Sequence, residues 1–290
     1  AAHQGENMSR TVNIADGMAL PAIGQGTWYM GESPDLRRQE IAALQAGIEC
    51  GLSVIDTAEM YADGGAERVV GEALQGRRDR VWLVSKFYPW NAGVVDAVEA
   101  CERSLQRLRT DYLDLYLLHW RGNIPLEETI RAMEKLQQQG KIGRWGVSNF
   151  DTEDMQELWQ APGGTACAAN QVLYHLASRG IEFELLPACQ ARQLPVMAYC
   201  PLAQAGRLRR DLMMHPALHE VAQQQDISVA QLMLAWVIRQ PGVMAIPKAG
   251  SVTHVRENAA ALTITLTDEQ LMRLDSLFPP PQSKQPLDVV

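Results

Sequence analysis

The chain has 290 residues and a formal net charge of −8, from 26 basic and 34 acidic side chains. A composition of 47% hydrophobic and 21% charged residues is typical of a globular protein with a large core, and it excludes the disordered and fibrous classes. The acidic balance repels phosphate groups, so no nucleic acid partner is expected.

The five cysteines include no C-x-x-C pair, and a chain of this length needs no disulfide to fold, so we expect a reducing, cytoplasmic location. No apolar run reaches the roughly 18 residues that span a bilayer, so no membrane partner is expected. Residues 1–7 are polar, have no periodicity and precede Met8. We interpret them as an expression remnant and assign 8–290 to one domain.

In chain order, the first predicted elements are short strands at 11–14 and 18–21, joined through Asp16-Gly17, a dipeptide typical of two-residue hairpin turns. After them, apolar runs of strand length alternate with segments of helical periodicity. The eight apolar runs are 22–26, 52–56, 81–86, 113–119, 145–148, 167–171, 196–199 and 243–247. The helical segments are 35–50, 66–74, 94–108, 126–139, 151–159, 182–193, 228–239, 251–261 and 267–277.

Runs that are apolar at consecutive positions are typical of parallel strands covered on both faces by helices. Eight such runs over about 230 residues fit a closed barrel better than an open sheet. We therefore predict an α/β fold, a single (β/α)8 TIM barrel. Its bottom is capped by the N-terminal β-hairpin, and extra helices follow near the C-terminus.

In such a barrel the active site lies at the carboxyl ends of the strands. Asp56, Lys86 and His119 each end a predicted strand, and Tyr61 follows five residues after Asp56. A lysine at the end of a buried strand needs a charged partner, and Asp56 is the candidate. Lys86 beside Tyr61 favours the phenolate and so lowers the pKa of a potential proton donor. His119 could hydrogen-bond a carbonyl oxygen and stabilise its developing charge.

This set of side chains can protonate an alkoxide, which forms when hydride adds to a carbonyl. No side chain donates hydride, so a nicotinamide cofactor and a small-molecule carbonyl substrate are implied. The glycine pattern of a Rossmann turn is absent, because Tyr29 stands where its third glycine would be. The segment HPALH at 215–219 lacks the glutamate of a zinc-binding helix, and we predict no metal site.

Eight short segments, which include the four residues discussed above, together form a pattern that extends over most of the chain. They are GQGTW at 24–28, IDTAEMY at 55–61, LVSK at 83–86, DYLDLYLLHW at 111–120, GRWGVSNF at 143–150, NQV at 170–172, AYCPL at 198–202 and IPK at 246–248. With them, the chain from residue 11 to about 277 resembles the aldo-keto reductases, and most closely their bacterial branch that includes methylglyoxal reductases. The resemblance implies that Asp56, Tyr61, Lys86 and His119 form the catalytic tetrad, with Tyr61 as general acid. Some relatives that reduce carbon–carbon double bonds have Glu in place of His119, so carbonyl reduction is favoured.

The resemblance also implies NADPH as the cofactor. Ser148, Asn149 and Gln171 would hold the nicotinamide carboxamide, and Tyr199 would stack on the ring. Lys248 would meet the 2′-phosphate that distinguishes NADPH from NADH. The other residues assigned to cofactor binding are Gly26, Thr27, Trp28, Asp56, Pro201 and Leu202, and, around the adenosine phosphate, Ser251, His254, Arg256 and Asn258. Among these, His254 stands where family members often have Arg, and Ser251, Arg256 and Asn258 are expected to compensate.

Three tryptophans, Trp28, Trp90 and Trp120, follow barrel strands on the active-site side and are predicted to form walls of the substrate pocket. The tail after residue 277 is short, which favours an open pocket for small or varied aldehydes such as methylglyoxal. We expect a monomeric or weakly associated protein.

Two other functions fit the same barrel. A lyase could use Lys86 to form a Schiff base with a ketone, but a salt bridge to Asp56 would make the amine a poor nucleophile. A regulatory barrel could bind NADPH with little turnover, and the intact tetrad does not exclude it.

Overall fold

The computed structural model describes residues 9–14 and 17–290 and confirms the predicted fold class. The proposed expression remnant at 1–7 and Asp16 of the predicted turn lie outside these residues. The strands are β1 (Thr11–Ile14), β2 (Met18–Pro21), β3 (Gln25–Gly26), β4 (Val54–Asp56), β5 (Trp82–Phe87), β6 (Leu113–Leu118), β7 (Ile142–Ser148), β8 (Asn170–Leu173), β9 (Val196–Tyr199) and β10 (Val243–Ala245).

Strands β3 to β10 form one parallel sheet in sequential order, so each strand pairs with the next one along the chain. The two edges of the sheet meet through parallel bridges between Ile23 and Ala245 and between Gly26 and Lys248. The backbone N–H of Gly24 donates to the Ala245 carbonyl at 2.8 Å, and the Ala245 N–H donates to the Ala22 carbonyl at 2.8 Å. These contacts close the barrel.

The hairpin of β1 and β2 is antiparallel, with Val12 opposite Leu20. The chain passes directly from β2 into the start of the first barrel strand, so the hairpin lies at the amino ends of the barrel strands. Val12, Ile14 and Leu20 are buried there. The predicted cap at the bottom of the barrel is confirmed.

The helices surround the barrel and are α1 (Arg37–Glu49), α2 (Gly65–Ala73), α3 (Val94–Leu108), α4 (Leu126–Gln138), α5 (Thr152–Gln160), α6 (Leu185–Ala191), α7 (Arg207–Met213), α8 (Pro216–Gln223), α9 (Val229–Ile238), α10 (Val252–Ala260) and α11 (Asp268–Leu277). Capping boxes begin α5 at Asp151, α9 at Ser228 and α11 at Thr267. None of the helices within residues 9–14 and 17–290 is both long and apolar enough to cross a membrane.

Two short helices, α7 and α8, were not predicted from the sequence. They lie between β9 and α9, where a barrel needs only one helix. Helix α7 consists largely of the basic run at 207–210 and buries only Leu212, so it has little apolar periodicity to reveal it. Helix α8 begins at Pro216, and its amino end is capped by the His215 side chain.

Candidate active site

The centre of the site is Lys86, which lies on β5 inside the barrel and is fully buried. Its ammonium nitrogen Nζ donates to Asp56 Oδ2 at 2.7 Å, to the Thr57 carbonyl at 2.9 Å and to the Tyr61 hydroxyl at 3.0 Å. Asp56 ends the adjacent strand β4. Three hydrogen-bonding partners, one of them a carboxylate, satisfy the buried lysine, as the sequence predicted.

The second carboxylate oxygen of Asp56, Oδ1, accepts a 2.8 Å hydrogen bond from Gln171 Nε2 on β8. Asp56 is thus held from both sides and is itself buried. Burial lowers the pKa of Lys86, while the Asp56 carboxylate acts in the opposite direction. An ammonium held in this way is a poor nucleophile, which disfavours the Schiff-base alternative.

Tyr61 lies in the loop after β4 and is 7% exposed. Burial raises the pKa of its phenol well above the usual 10, and the Asp56 charge raises it further. The expected lowering by Lys86 is therefore not found, because the loss of solvation outweighs the nearby cation. At neutral pH the phenol carries its proton and can act as an acid.

His119 follows β6, and its ring and that of Tyr61 are nearly perpendicular, with ring centroids 5.8 Å apart. Burial lowers the pKa of His119 to about 3, and the Lys86 charge contributes in the same direction. The imidazole is therefore neutral and keeps one N–H. Its Nδ1 atom has no hydrogen-bonding partner among the described residues. A neutral imidazole at this position can donate to a carbonyl oxygen without competing as an acid.

A cavity of about 860 Å³ opens above these groups at the carboxyl ends of the strands. Its size is within the range of small-molecule and cofactor sites. The predicted site residues that line it are Gly26, Thr27, Trp28, Asp56, Tyr61, His119, Trp120, Ser148, Asn149, Gln171, Tyr199, Pro201, Leu202 and Lys248. Lys86 does not line the cavity itself, but it hydrogen-bonds to Asp56 and Tyr61, which do.

Two of the three predicted pocket tryptophans, Trp28 and Trp120, line the cavity, but Trp90 does not. Trp90 is 60% exposed, stacks on Tyr88 at 4.3 Å between ring centroids and meets the edge of Trp120. It belongs to a short 3-10 helix that begins at Pro89. Trp90 therefore contacts the wall residue Trp120 without lining the cavity itself.

One end of the cavity contains amide and hydroxyl groups that hydrogen-bond to one another. Asn149 Nδ2 donates to the His119 carbonyl at 3.0 Å, and Asn149 Oδ1 accepts from the Tyr199 hydroxyl at 2.7 Å. Ser148 Oγ donates to the Gln171 carbonyl at 2.8 Å. The Tyr199 ring is thus fixed at the cavity wall within reach of the tetrad.

At the other end, Lys248 and Arg209 line the cavity, and neither forms an ion pair with a described residue. Four predicted residues lie outside the cavity lining. His254 and Arg256 are exposed, Ser251 caps α10, and Asn258 is buried against the first barrel strand. Their contact with a cofactor stays a prediction.

The family model for the aldo/keto reductase family matches residues 22–278 of this sequence. The chain belongs to the aldo/keto reductase family. Methylglyoxal reductase YeaE of Escherichia coli (strain K12) is 62% identical over 281 residues, which are 97% of this chain and 99% of the relative. Glyoxal reductase of Bacillus subtilis (strain 168) is 32% identical and spans 93% of this chain and 94% of its own.

Solved structures of other aldo/keto reductases share the fold. The aldo/keto reductase from Klebsiella pneumoniae, in a complex with NADP and acetate, superposes with a TM-score of 0.95 at 65% identity and covers 98% of this chain and 100% of its own. Further from this sequence, the thermostable reductase Tm1743, in a complex with the inhibitor epalrestat, has a TM-score of 0.82 at 39% identity, with 93% of this chain and 99% of its own covered.

Sequence reasoning did not assign several residues that line the cavity of this aldo/keto reductase. Arg209 lies in the basic run at 207–210, and that run was a signal that could have found it. Arg121, which bonds Asp154 and Glu157, directly follows Trp120. Neither residue ends a strand, which is the position that identified Asp56, Lys86 and His119.

The C-terminal tail also reaches the cavity, although its shortness suggested an open pocket. Val289 and Val290 line the cavity. The tail is held on the barrel by hydrogen bonds from Lys284 to Asp151 and from Ser178 to Asp288. The tail therefore narrows one side of the mouth.

Proposed function

We propose that this aldo/keto reductase reduces small aldehydes and ketones to alcohols with NADPH, and that Tyr61 is the proton donor. The observation that carries the proposal is the Lys86 ammonium, which bonds the Asp56 carboxylate and the Tyr61 hydroxyl at once on the floor of a cavity. A buried cation that contacts a phenol has a use in proton transfer, because it stabilises the phenolate left behind.

The cavity fits a nicotinamide dinucleotide chemically. The amide groups of Asn149 and Gln171, a fixed aromatic ring at Tyr199 and two cations, Arg209 and Lys248, lie along it. The cations suit phosphate groups, and Lys248 suits the extra phosphate of NADPH. Gln171 Nε2 is bonded to Asp56, so its amide oxygen is the atom that would accept from a carboxamide. The complexes of the Klebsiella reductases with NADP and NADPH support the same cofactor.

A bound NADPH supplies the hydride that adds to the carbonyl carbon. In this chain, neutral His119 donates a hydrogen bond to the carbonyl oxygen and orients it toward Tyr61. As negative charge develops on that oxygen, the Tyr61 hydroxyl delivers its proton. The resulting phenolate lies 3.0 Å from Lys86 Nζ, and Asp56 holds the lysine in place.

We propose small dicarbonyl compounds such as methylglyoxal as substrates. The 62% identity to a methylglyoxal reductase and the match to a glyoxal reductase support this. The Trp28 and Trp120 side chains and the tail residues Val289 and Val290 line the same cavity as Tyr61 and His119, and these largely apolar walls suit a small carbonyl compound.

We further propose that the protein acts as a monomer in the cytoplasm, with residues 8–290 as one domain. One chain supplies all four tetrad residues and the cavity lining, so a second copy is not required for the reaction. All five cysteines are free thiols, which supports a reducing compartment.

The test is Tyr61→Phe, assayed with NADPH and methylglyoxal. We expect kcat to fall by about 10² or more, because the phenol proton is lost while the ring remains. NADPH affinity, measured by quenching of tryptophan fluorescence, should change by less than about twofold. Tyr29→Phe is the matched control, since Tyr29 also lines the cavity but does not contact Lys86.

Turnover in Tyr61→Phe close to that of Tyr29→Phe would disprove the role of Tyr61. If NADPH binds to the wild-type protein but no carbonyl compound is reduced, the proposed reaction is wrong, and a regulatory barrel that binds NADPH without turnover is favoured instead.

A further inference from the structure

The turn that carries Tyr61 has an unusual backbone. Ala62 and Asp63 have φ values of 52° and 51°, and Gly64 follows with a φ of 88°. Side chains other than glycine rarely adopt this left-handed conformation, and two in succession persist only where surrounding contacts hold them. The contacts that hold this turn therefore control where the Tyr61 hydroxyl lies.

One such contact is Arg107, at the end of α3. Its side chain lies directly against Gly64, because a methyl group added at Gly64 would be 2.8 Å from Arg107 Cδ. The guanidinium nitrogen Nε donates to Glu67 Oε1 at 2.7 Å, and Nη2 donates to Ser104 Oγ at 3.3 Å. Arg107 is thus fixed beneath the turn.

Glu67 connects this arginine to the strand that carries Lys86. The Glu67 side chain is fully buried on α2, which begins directly after the turn. Its second carboxylate oxygen, Oε2, accepts a 2.7 Å hydrogen bond from Ser85 Oγ. Ser85 immediately precedes Lys86 on β5 and, because side chains alternate along a strand, points to the opposite face. One carboxylate therefore bonds both the support of the Tyr61 turn and the strand of Lys86.

We propose that Glu67 and Arg107 are positioning residues that set the contact between the Tyr61 hydroxyl and Lys86 Nζ. They clamp the turn at 61–64 against β5 from outside the barrel, and neither lines the cavity. The inference rests on the proposed function, since it assigns these residues to the same proton transfer. The negative charge of Glu67 also favours the ammonium form of Lys86, which is consistent with this role.

The test is Arg107→Met compared with Arg78→Met. The control is matched, because Arg78 forms a similarly shielded ion pair with Asp114 at 3.2 Å, with 18% of its side chain exposed against 17% for Arg107. Arg78 also donates to the carbonyls of Val81 and Tyr112, near the starts of β5 and β6, far from Tyr61. Both variants should lose stability, and only Arg107→Met should lose catalysis.

We expect Arg107→Met to lower kcat by about tenfold, because a small misplacement of a reacting group is costly. The KM for methylglyoxal and the dissociation constant for NADPH, from fluorescence titration, should stay within about twofold. Ser85→Ala is the second variant. It removes the link between Glu67 and β5 without leaving the Glu67 charge unpaired, so it keeps the test valid if Arg107→Met does not fold.

The inference is overturned if Arg107→Met, or Ser85→Ala where the first does not fold, has the kcat of Arg78→Met. It is overturned equally if KM and NADPH binding weaken as much as kcat falls, because that pattern indicates general damage to the cavity. Failure of the proposed function is a separate result, since Tyr61→Phe would then keep its turnover whatever the Arg107 variants do.

Discussion

The two ends of the cavity are built in different ways. At the catalytic end, Asp56 and Lys86 lie on two neighbouring strands and His119 directly follows the third, and all three are buried. Hydrogen bonds within the protein hold Asp56 and Lys86. At the end that we propose binds phosphate, Lys248 is exposed and forms no ion pair with a described residue, and Arg209 donates to the Ala203 carbonyl. At the first end the charges of Asp56 and Lys86 are paired within the protein. At the second end the cations are left for an anionic ligand to pair.

This difference separates residues that affect folding stability from residues that affect ligand affinity. In a buried, paired set, removing one member lowers the stability of the fold as well as the activity, because the others are left uncompensated. An exposed cation contributes to affinity with little effect on folding. Substitutions at the two ends should therefore differ in what they change.

The largest effect is expected from Lys86→Met. Removing the ammonium leaves the buried Asp56 carboxylate with only the Gln171 hydrogen bond, so the free energy of unfolding should fall by about 3 kcal/mol. Tyr61 also loses its cation, and kcat should fall by about 10³. Urea denaturation and the NADPH assay measure the two losses.

The double variant Asp56→Asn/Lys86→Met sharpens this prediction. It removes both charges, so it should regain most of the lost stability without regaining activity. If Lys86→Met and the double variant are equally stable, the unpaired Asp56 carboxylate is not the reason why Lys86→Met loses stability.

The catalytic end was predictable from sequence because strand order and register decide it. Once eight apolar runs imply parallel strands, Asp56 and Lys86 must end side by side at the same mouth, and the structure pairs their strands directly. The pairing of the hairpin cap was equally predictable, because its two short runs follow each other with only three residues between the paired positions Ile14 and Met18.

The features of the site that the sequence did not predict depend on tertiary contacts, which leave no local pattern in the sequence. Trp90 follows β5 in sequence as Trp120 follows β6, yet only Trp120 lines the cavity. The pKa of Tyr61 depends on how deeply the phenol is buried, which no spacing in the sequence indicates. The Glu67 and Arg107 pair joins residues forty positions apart on two helices.

A smaller effect concerns His119 and the pH dependence of stability. Its pKa is about 3 in the folded protein and near 6.5 when unfolded, so below pH 6.5 the unfolded chain binds the extra proton and folding is weakened. Between about pH 7.5 and about pH 5 this costs about 2 kcal/mol of unfolding free energy. His119→Gln should remove that part of the loss in urea denaturation.

His219→Gln is the control, because its side chain is exposed and it should keep the wild-type loss on acidification. If His119→Gln loses as much stability between the two pH values as His219→Gln does, His119 is not the group that resists protonation.

The smallest effect is expected from Lys248→Ala at the phosphate end. Losing one charge-assisted contact to a phosphate should raise the NADPH dissociation constant about tenfold, and the difference should shrink at high salt. NADH affinity, kcat and the free energy of unfolding should not change, because Lys248 is exposed and unpaired within the described chain. His254→Ala and Arg256→Ala should have weaker effects, since neither side chain lines the cavity. Equal weakening of NADPH and NADH by Lys248→Ala would assign this lysine to the pyrophosphate that both cofactors share, and NADPH selectivity would then have to come from α10.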